Sequence, residues 1–141
     1  MDLGLNGLNA VVTGSTAGIG KAIALSLAKE GVNVAICSRR QEKVDETLDE
    51  LSAYPVKSVG GAVDITHTEA FQHWVSQTAE GLGGIDIFVA NVSPMSGKWA
   101  DAVNTDILST VSSIDAALPW VKQSENGSII YISSCLLYTS D

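Results

Sequence analysis

Thr13-Gly14-Ser15-Thr16-Ala17-Gly18-Ile19-Gly20 is the stretch whose reading decides the fold. It follows the apolar run Ala10-Val11-Val12, and Ile19, Ile23 and Leu27 recur after it at helical spacing as far as Glu30 and Gly31. It therefore reads as the turn between a buried strand and a helix. In such a turn Gly14 lets the chain leave the strand sharply, Gly18 leaves room for a bulky ligand against the backbone, and Gly20 lets the helix pack close to the sheet. The first N–H groups of that helix and the positive end of its dipole then face a pyrophosphate. A Walker-type phosphate loop is excluded, because it needs glycine where Ser15 stands and Ser or Thr where Ala22 follows Gly20-Lys21.

Working outward, Val32 to Cys37 is a second apolar run, and Gln41 to Ser52 has helical character. Val44, Leu48 and Leu51 mark its inward stripe, while Glu42, Asp45, Glu46, Asp49 and Glu50 form a solvated face. Tyr54-Pro55 breaks this helix, and Val56 to Val63 reads as a third strand loosened by Gly60-Gly61. Thr66 and Glu69 have capping-box spacing and open the next helix. Its buried stripe is Phe71, Val75, Thr78 and Leu82, with Trp74 bordering it as a core residue. Gly83-Gly84 ends that helix, and Ile85 to Ala90 is a fourth strand, apolar enough to be covered on both faces.

Asn91 to Lys98 reads as a loop. Helical spacing resumes around Trp99 and continues through Ile107, Val111, Ile114 and Leu118 to an end near Pro119 to Gln123. Asn126-Gly127 then turns the chain into a fifth strand, Ser128 to Ile132. Strands alternating with helices, joined by right-handed crossovers, predict an α/β fold with a doubly wound parallel sheet of Rossmann type. The expected strand order is 3-2-1-4-5, truncated after strand five, with the ligand at the carboxyl ends of the strands.

A chain of 141 residues, 45% hydrophobic and 17% charged, reads as one soluble globular domain. The formal charge of −8 and a pI near 4.5 argue against nucleic acid or an anionic membrane surface as the main partner. No apolar run reaches membrane-spanning length and the start Met1-Asp2-Leu3-Gly4 is unlike a secretory signal, so a cytoplasmic location is the default expectation. Cys37 and Cys135 lack metal-like spacing and read as free thiols. His67 and His73, six apart, fall on different faces of a helix, and no metal site is expected.

The remaining polar features all fall at strand ends. Ser38-Arg39-Arg40 follows strand two, where a dinucleotide fold meets the adenosine ribose. No carboxylate stands there to accept from a 2′-hydroxyl, and two cations at a helix start oppose its dipole unless a bound 2′-phosphate relieves them. Two solvated surface arginines are the competing reading. Asp64, after strand three, is either a turn residue or, with Thr66 serving as the cap, free to accept from an adenine amino group. Asn91, after strand four, is suited to fixing the loop beside a cofactor, and a purely structural role fits equally well. Ser133-Ser134 ends strand five and points at the same crevice, where it is either a turn residue or offers one hydroxyl to orient a substrate carbonyl, with no general acid visible nearby.

With these residues in hand, the chain from Leu5 to Ser134 resembles the short-chain dehydrogenase/reductase family, and within it the 3-oxoacyl-acyl-carrier-protein reductase-like branch. The resemblance is carried by the TGxxxGIG pattern of Thr13 to Gly20, Ser38-Arg39, Asp64, Asp86 with Asn91, Asn104, and Gly127 to Ser134. It implies an enzyme that interconverts a carbonyl and an alcohol by hydride transfer with NADP (NADPH). The substrate would be a small molecule or an acyl-carrier-bound carbonyl, and the parent protein a homo-oligomer. By resemblance Gly14, Ser15, Gly18, Ile19 and Gly20 line the pyrophosphate, and Ser38 with Arg39 meets the phosphorylated ribose. Asp64 meets the adenine, Asn91 supports the nicotinamide ribose, and Ser134 and Asn104 take catalytic positions.

The departures matter as much. The family's Asn-Asn-Ala-Gly reads Ala90-Asn91-Val92-Ser93, and the interval from Asn91 to Asn104 is short. The family's Tyr-x-x-x-Lys pair is absent, since neither Tyr131 nor Tyr138 has a lysine four residues later. The tail Cys135-Leu136-Leu137-Tyr138-Thr139-Ser140-Asp141 resembles no helix approach of the family and reads as a translated transposon-end adapter of sequencing libraries, the alternative being a genuine truncated homologue with an unusual C-terminus. The expectation is an incomplete dinucleotide-binding domain over 1–134 with a non-native tail over 135–141, inactive by itself. The rival expectation is a non-catalytic NADP-binding module or redox sensor.

Overall fold

Short apolar runs flanked by amphipathic segments can satisfy their backbone groups by pairing side by side, with the helices covering both faces. The computed structural model describes residues 1–92 and 98–133 and shows this arrangement. The strands are β1 (Asn9–Thr13), β2 (Asn33–Ser38), β3 (Ser58–Ala62), β4 (Ile87–Ala90) and β5 (Ser128–Tyr131). All pairings are parallel, in the order β3-β2-β1-β4-β5. Between them run α1 (Gly18–Lys29), α2 (Gln41–Leu51), α3 (Thr68–Leu82), α4 (Trp99–Ala102) and α5 (Thr110–Lys122). A π-helical segment, Val103–Ser109, joins α4 to α5.

Alternation along each strand divides the core in two. Val11, Ala35 and Phe88 face α3 and α5, where Phe71, Val75, Ala79, Ala117 and Val121 complete the layer. Ala10, Val12, Val34, Ile36 and Val89 face the opposite side, with Ala24 and Ala28 of α1 and Val44 and Leu51 of α2. Phe71, Phe88, Ile36 and Leu51 are fully buried, and each such side chain contributes roughly 1.5–3 kcal/mol relative to exposure. The register sets Thr13 beside Cys37 and Ser38 beside Ala62, so the chain leaves β1, β2 and β3 along one edge.

Several local expectations are corrected. The buried face of α1 is Gly20, Ala24 and Ala28, and Ile19 is 64% exposed. Small residues let this helix lie close to the sheet, which turns the larger Ile19 outward. Thr66 is not a helix cap: α3 begins at Thr68, preceded by His67 without any side-chain cap. The most consequential reversal concerns the long helix before β5. Of the residues read at helical spacing, Trp99, Ile107 and Val111 are exposed, as is Leu108, whereas Ile114 packs against the core. The inner face is instead Ser109, Thr110, Ser113, Ala117 and Val121.

The π segment explains that reversal, because its wider turn shifts the helical phase and a stripe read at 3.6 residues per turn no longer maps onto one face. The Ser109 hydroxyl donates to the Asn104 carbonyl at 2.7 Å and the Thr110 hydroxyl to the Thr105 carbonyl at 3.3 Å, both five residues back. α5 runs through Pro119 in its last turns and ends inside the expected range. Among the described residues no helix is long and apolar enough to cross a membrane.

Candidate cofactor site

The loop from β1 to α1 is held from behind and left open in front. Gly14 and Gly18 have φ of 60° and 55°, conformations that L side chains rarely adopt. A Cβ on Gly18 would meet nothing within 4 Å, so the space before it is open. A Cβ on Gly20 would collide with the Gly14 carbonyl and the Asn91 amide. Gly20 thus serves close packing of the helix against the loop itself. Ala17 precedes α1 without a side-chain cap, and no acidic residue lies in the first turn. The first N–H groups of the helix therefore present uncompensated positive charge to the opening.

Ser15 is fully buried behind this cradle. Its hydroxyl donates to the Val12 carbonyl at 2.7 Å and accepts from the Cys37 N–H at 3.1 Å. Its own N–H donates to the Cys37 carbonyl at 3.3 Å. The hydroxyl and N–H thus tie the loop to both β1 and β2, and the side chain is turned away from the opening. Asn91 secures the other flank: its N–H donates to the Thr13 hydroxyl at 3.0 Å and its side-chain amide to the Gly14 carbonyl at 3.2 Å. Burial pushes the Cys37 thiol up to about 12, a Gly14 backbone hydrogen bond offsetting part of the effect.

At the ends of β2 and β3, the Ser38 hydroxyl accepts from the Arg40 N–H at 3.4 Å. Arg40 turns its fork onto Glu42, with Nη2 and Nε at 2.6 and 3.1 Å from the same oxygen, Oε1. That bond, first among its causes, holds the Glu42 carboxyl below its ordinary range. Arg39 is exposed and makes no hydrogen bond or ion pair among the described residues. Asp64 is half-buried and accepts the Thr66 N–H at 2.9 Å and hydroxyl at 2.7 Å, both on Oδ1. Thr66 therefore occupies one oxygen of Asp64, contrary to the expectation that it caps the helix and leaves Asp64 free. Burial raises the Asp64 pKa, but those hydrogen bonds and the charges of His67 and Arg39 outweigh it and set the carboxyl below its usual value.

The edge thus aligns Asp64, Ser38 with Arg39, the Gly14–Gly20 loop and Asn91, in the order of β3, β2, β1 and β4. Ser133 follows β5 and is exposed, whereas Ser134 and Tyr138 lie outside the described residues. Asn104 is exposed in the π segment, and its backbone carbonyl accepts the Ser109 hydroxyl. Glu42 and His67 were missed by sequence reasoning. Glu42 two residues after a helix-starting arginine was the available signal, whereas the effect of His67 on Asp64 depends on tertiary proximity. Among the described residues no group of three or more His, Cys, Asp or Glu could hold a metal ion.

A parallel sheet in this order, with a glycine cradle at the carboxyl edge of β1 and polar groups on both sides, defines a Rossmann-type domain. The chain belongs to the short chain dehydrogenase family, whose model matches residues 8–137. It is 34% identical over 140 residues to an isoepoxydon dehydrogenase of Aspergillus clavatus, covering 92% of this chain and 53% of that protein. The L-sorbose reductase of Gluconobacter frateurii, solved with NADPH and L-sorbose, superposes with a TM-score of 0.89 at 29% identity. That match covers 96% of this chain and 55% of the reductase. Carveol dehydrogenase from Mycobacterium avium, solved with NAD, matches with a TM-score of 0.86 at 26% identity, covering 92% and 55% of the two chains. The chain thus spans about half the length of the relatives it matches.

Proposed function

We propose that this chain is the cofactor-binding half of an NADP-dependent oxidoreductase that interconverts a carbonyl and an alcohol on a small-molecule or acyl-carrier-bound substrate. The observation that carries the cofactor assignment is Arg39, an exposed guanidinium without an ion-pair partner among the described residues, at the strand end where a dinucleotide fold receives the adenosine ribose. No carboxylate follows β2 before Glu42, and Glu42 is engaged by Arg40. A 2′-phosphate is therefore met by an exposed planar fork, and no carboxylate of the β2–α2 turn is left unpaired beside it.

When bound, the nicotinamide cofactor donates or accepts the hydride. The chain's own residues bind and orient it. Backbone N–H groups of Gly18, Ile19 and Gly20 hold the pyrophosphate, Gly18 leaves room for it, Gly14 turns the chain off β1, and Ser15 and Asn91 hold the loop in shape. Asp64 keeps Oδ2 available to accept from the adenine amino group. Ser134 and Asn104 are assigned to the catalytic side from the family pattern. No tyrosine followed four residues later by lysine occurs in the sequence, so nothing equivalent is present to protonate the developing alkoxide. The 141-residue chain is accordingly expected to bind cofactor without reducing ketones.

The test is a titration of NADP+ and NAD+ into wild type and Arg39→Ala. A hydrogen bond to a charged group contributes roughly 1.5–3 kcal/mol, so the variant should bind NADP+ about 10- to 100-fold more weakly. NAD+, which lacks the phosphate, should change far less. Equal losses for both cofactors would refute the phosphate assignment and indicate stacking on the adenine or a folding defect.

A further inference from the structure

The second arginine of the pair is engaged by a neighbouring carboxylate. Arg40 precedes the first turn of α2 with extended backbone, φ −116° and ψ 117°, and sends both Nε and Nη2 to one oxygen of Glu42. The arrangement resolves a local conflict. A cation at a helix start opposes the dipole, while a carboxylate in the first turn suits it, so Glu42 is favourably placed and draws Arg40 to itself. Arg39, one residue earlier, has no such partner among the described residues.

We propose that Glu42 is a specificity-determining residue of the cofactor site: by holding Arg40 it leaves the 2′-phosphate to Arg39 alone and sets NADP affinity below what the arginine pair would give. The inference rests on the assignment of this edge to the phosphorylated ribose, and it concerns only how many cations that edge offers. The Arg40–Glu42 pair is exposed on both sides, 64% and 63% for the two side chains. Exposed pairs of this kind hold weakly, so releasing Arg40 is expected to change affinity by less than one full decade.

The experiment is a double-mutant cycle on the 141-residue chain, with NADP+ and NAD+ titrated calorimetrically into wild type, Glu42→Gln, Arg40→Gln and the double variant. Far-UV circular dichroism verifies that α2 is retained in each. Glu42→Gln should tighten NADP+ by about 3- to 10-fold and leave NAD+ within about 2-fold. Arg40→Gln should cost NADP+ little in wild type and about 3- to 10-fold in the Glu42→Gln background, where the arginine is released. An unchanged NADP+ affinity in Glu42→Gln overturns the proposal. So does an Arg40→Gln loss of the same size in both backgrounds, which would mean additive field effects and not a clamp. Arg39→Ala separates the two levels: a loss there with no Glu42 effect refutes only the clamp. No selective NADP+ loss there, or no NADP+ binding by wild type, refutes both readings.

Discussion

The side-chain amide of Asn91 donates to the backbone carbonyl of Gly14 at 3.2 Å, and Gly20 is the residue that leaves space for it. Three elements meet at this point: the end of β1, the first turn of α1 and the end of β4. The cradle in front of Gly18 therefore depends on a contact made behind it, on the side a ligand does not touch.

Gly20→Ala tests that dependence. Its methyl would fall on the Gly14 carbonyl, a backbone atom that cannot rotate away, as well as on the Asn91 amide. Overpacking at such a site costs roughly 1–3 kcal/mol. The expected result is a lower urea midpoint and loss of cofactor binding. Adding Asn91→Ala relieves only the side-chain half of the clash, so stability should not return to the wild-type value. Full recovery in the double variant would show that the Gly14 carbonyl is not a constraint.

Cys37 gives a prediction in pH. Its folded pKa is raised from 9.0 to about 12, chiefly by burial, so the folded state holds the thiol proton more tightly than the unfolded chain. The associated stability is complete below about pH 9 and is lost as pH rises from there through about 12. Urea midpoints measured between pH 8 and 11 should fall more steeply for wild type than for Cys37→Ala. In a Cys135→Ser background, iodoacetamide should label Cys37 at pH 8 only after denaturant is added. Rapid labelling of the native protein would contradict the burial.

The strand order, the glycine turn and the buried stripe of α3 were legible in the sequence because each is a local signal: apolar runs, turn residues, and Phe71, Val75, Thr78 and Leu82 at helical spacing. The site was legible to the level of which residues stand at strand ends. It failed where a side chain chose between two local partners. Thr66 bonds to Asp64 and not to the helix it precedes, and Arg40 folds onto Glu42. The orientation of Ile107 and Val111 was illegible for a different reason, since a π turn changes the period on which a stripe is read.

The last prediction concerns the opposite edge of the sheet, where Asn9 is 8% exposed and engaged through every polar group. Its side-chain amide donates to the Leu82 and Gly84 carbonyls at 3.0 and 3.1 Å, and its oxygen accepts from the Asn33 amide at 3.0 Å. Its N–H donates to Asp86 Oδ2 at 2.8 Å, and the Asn33 oxygen in turn accepts from the Lys57 N–H at 2.9 Å. Asn9→Ala would strip donors from two carbonyls at the end of α3, at a cost of about 1–3 kcal/mol for a buried group left unsatisfied. Asn9→Asp should be worse at neutral pH, because an ionised carboxylate donates nothing and faces both carbonyls and Asp86. Lowering the pH should recover part of that loss, since protonation restores one donor and removes the charge. The cofactor cradle lies at the other end of β1, so the folded fraction of either variant should bind NADP+ with wild-type affinity. A binding defect without a drop in urea midpoint would show that this network serves the site and not the sheet.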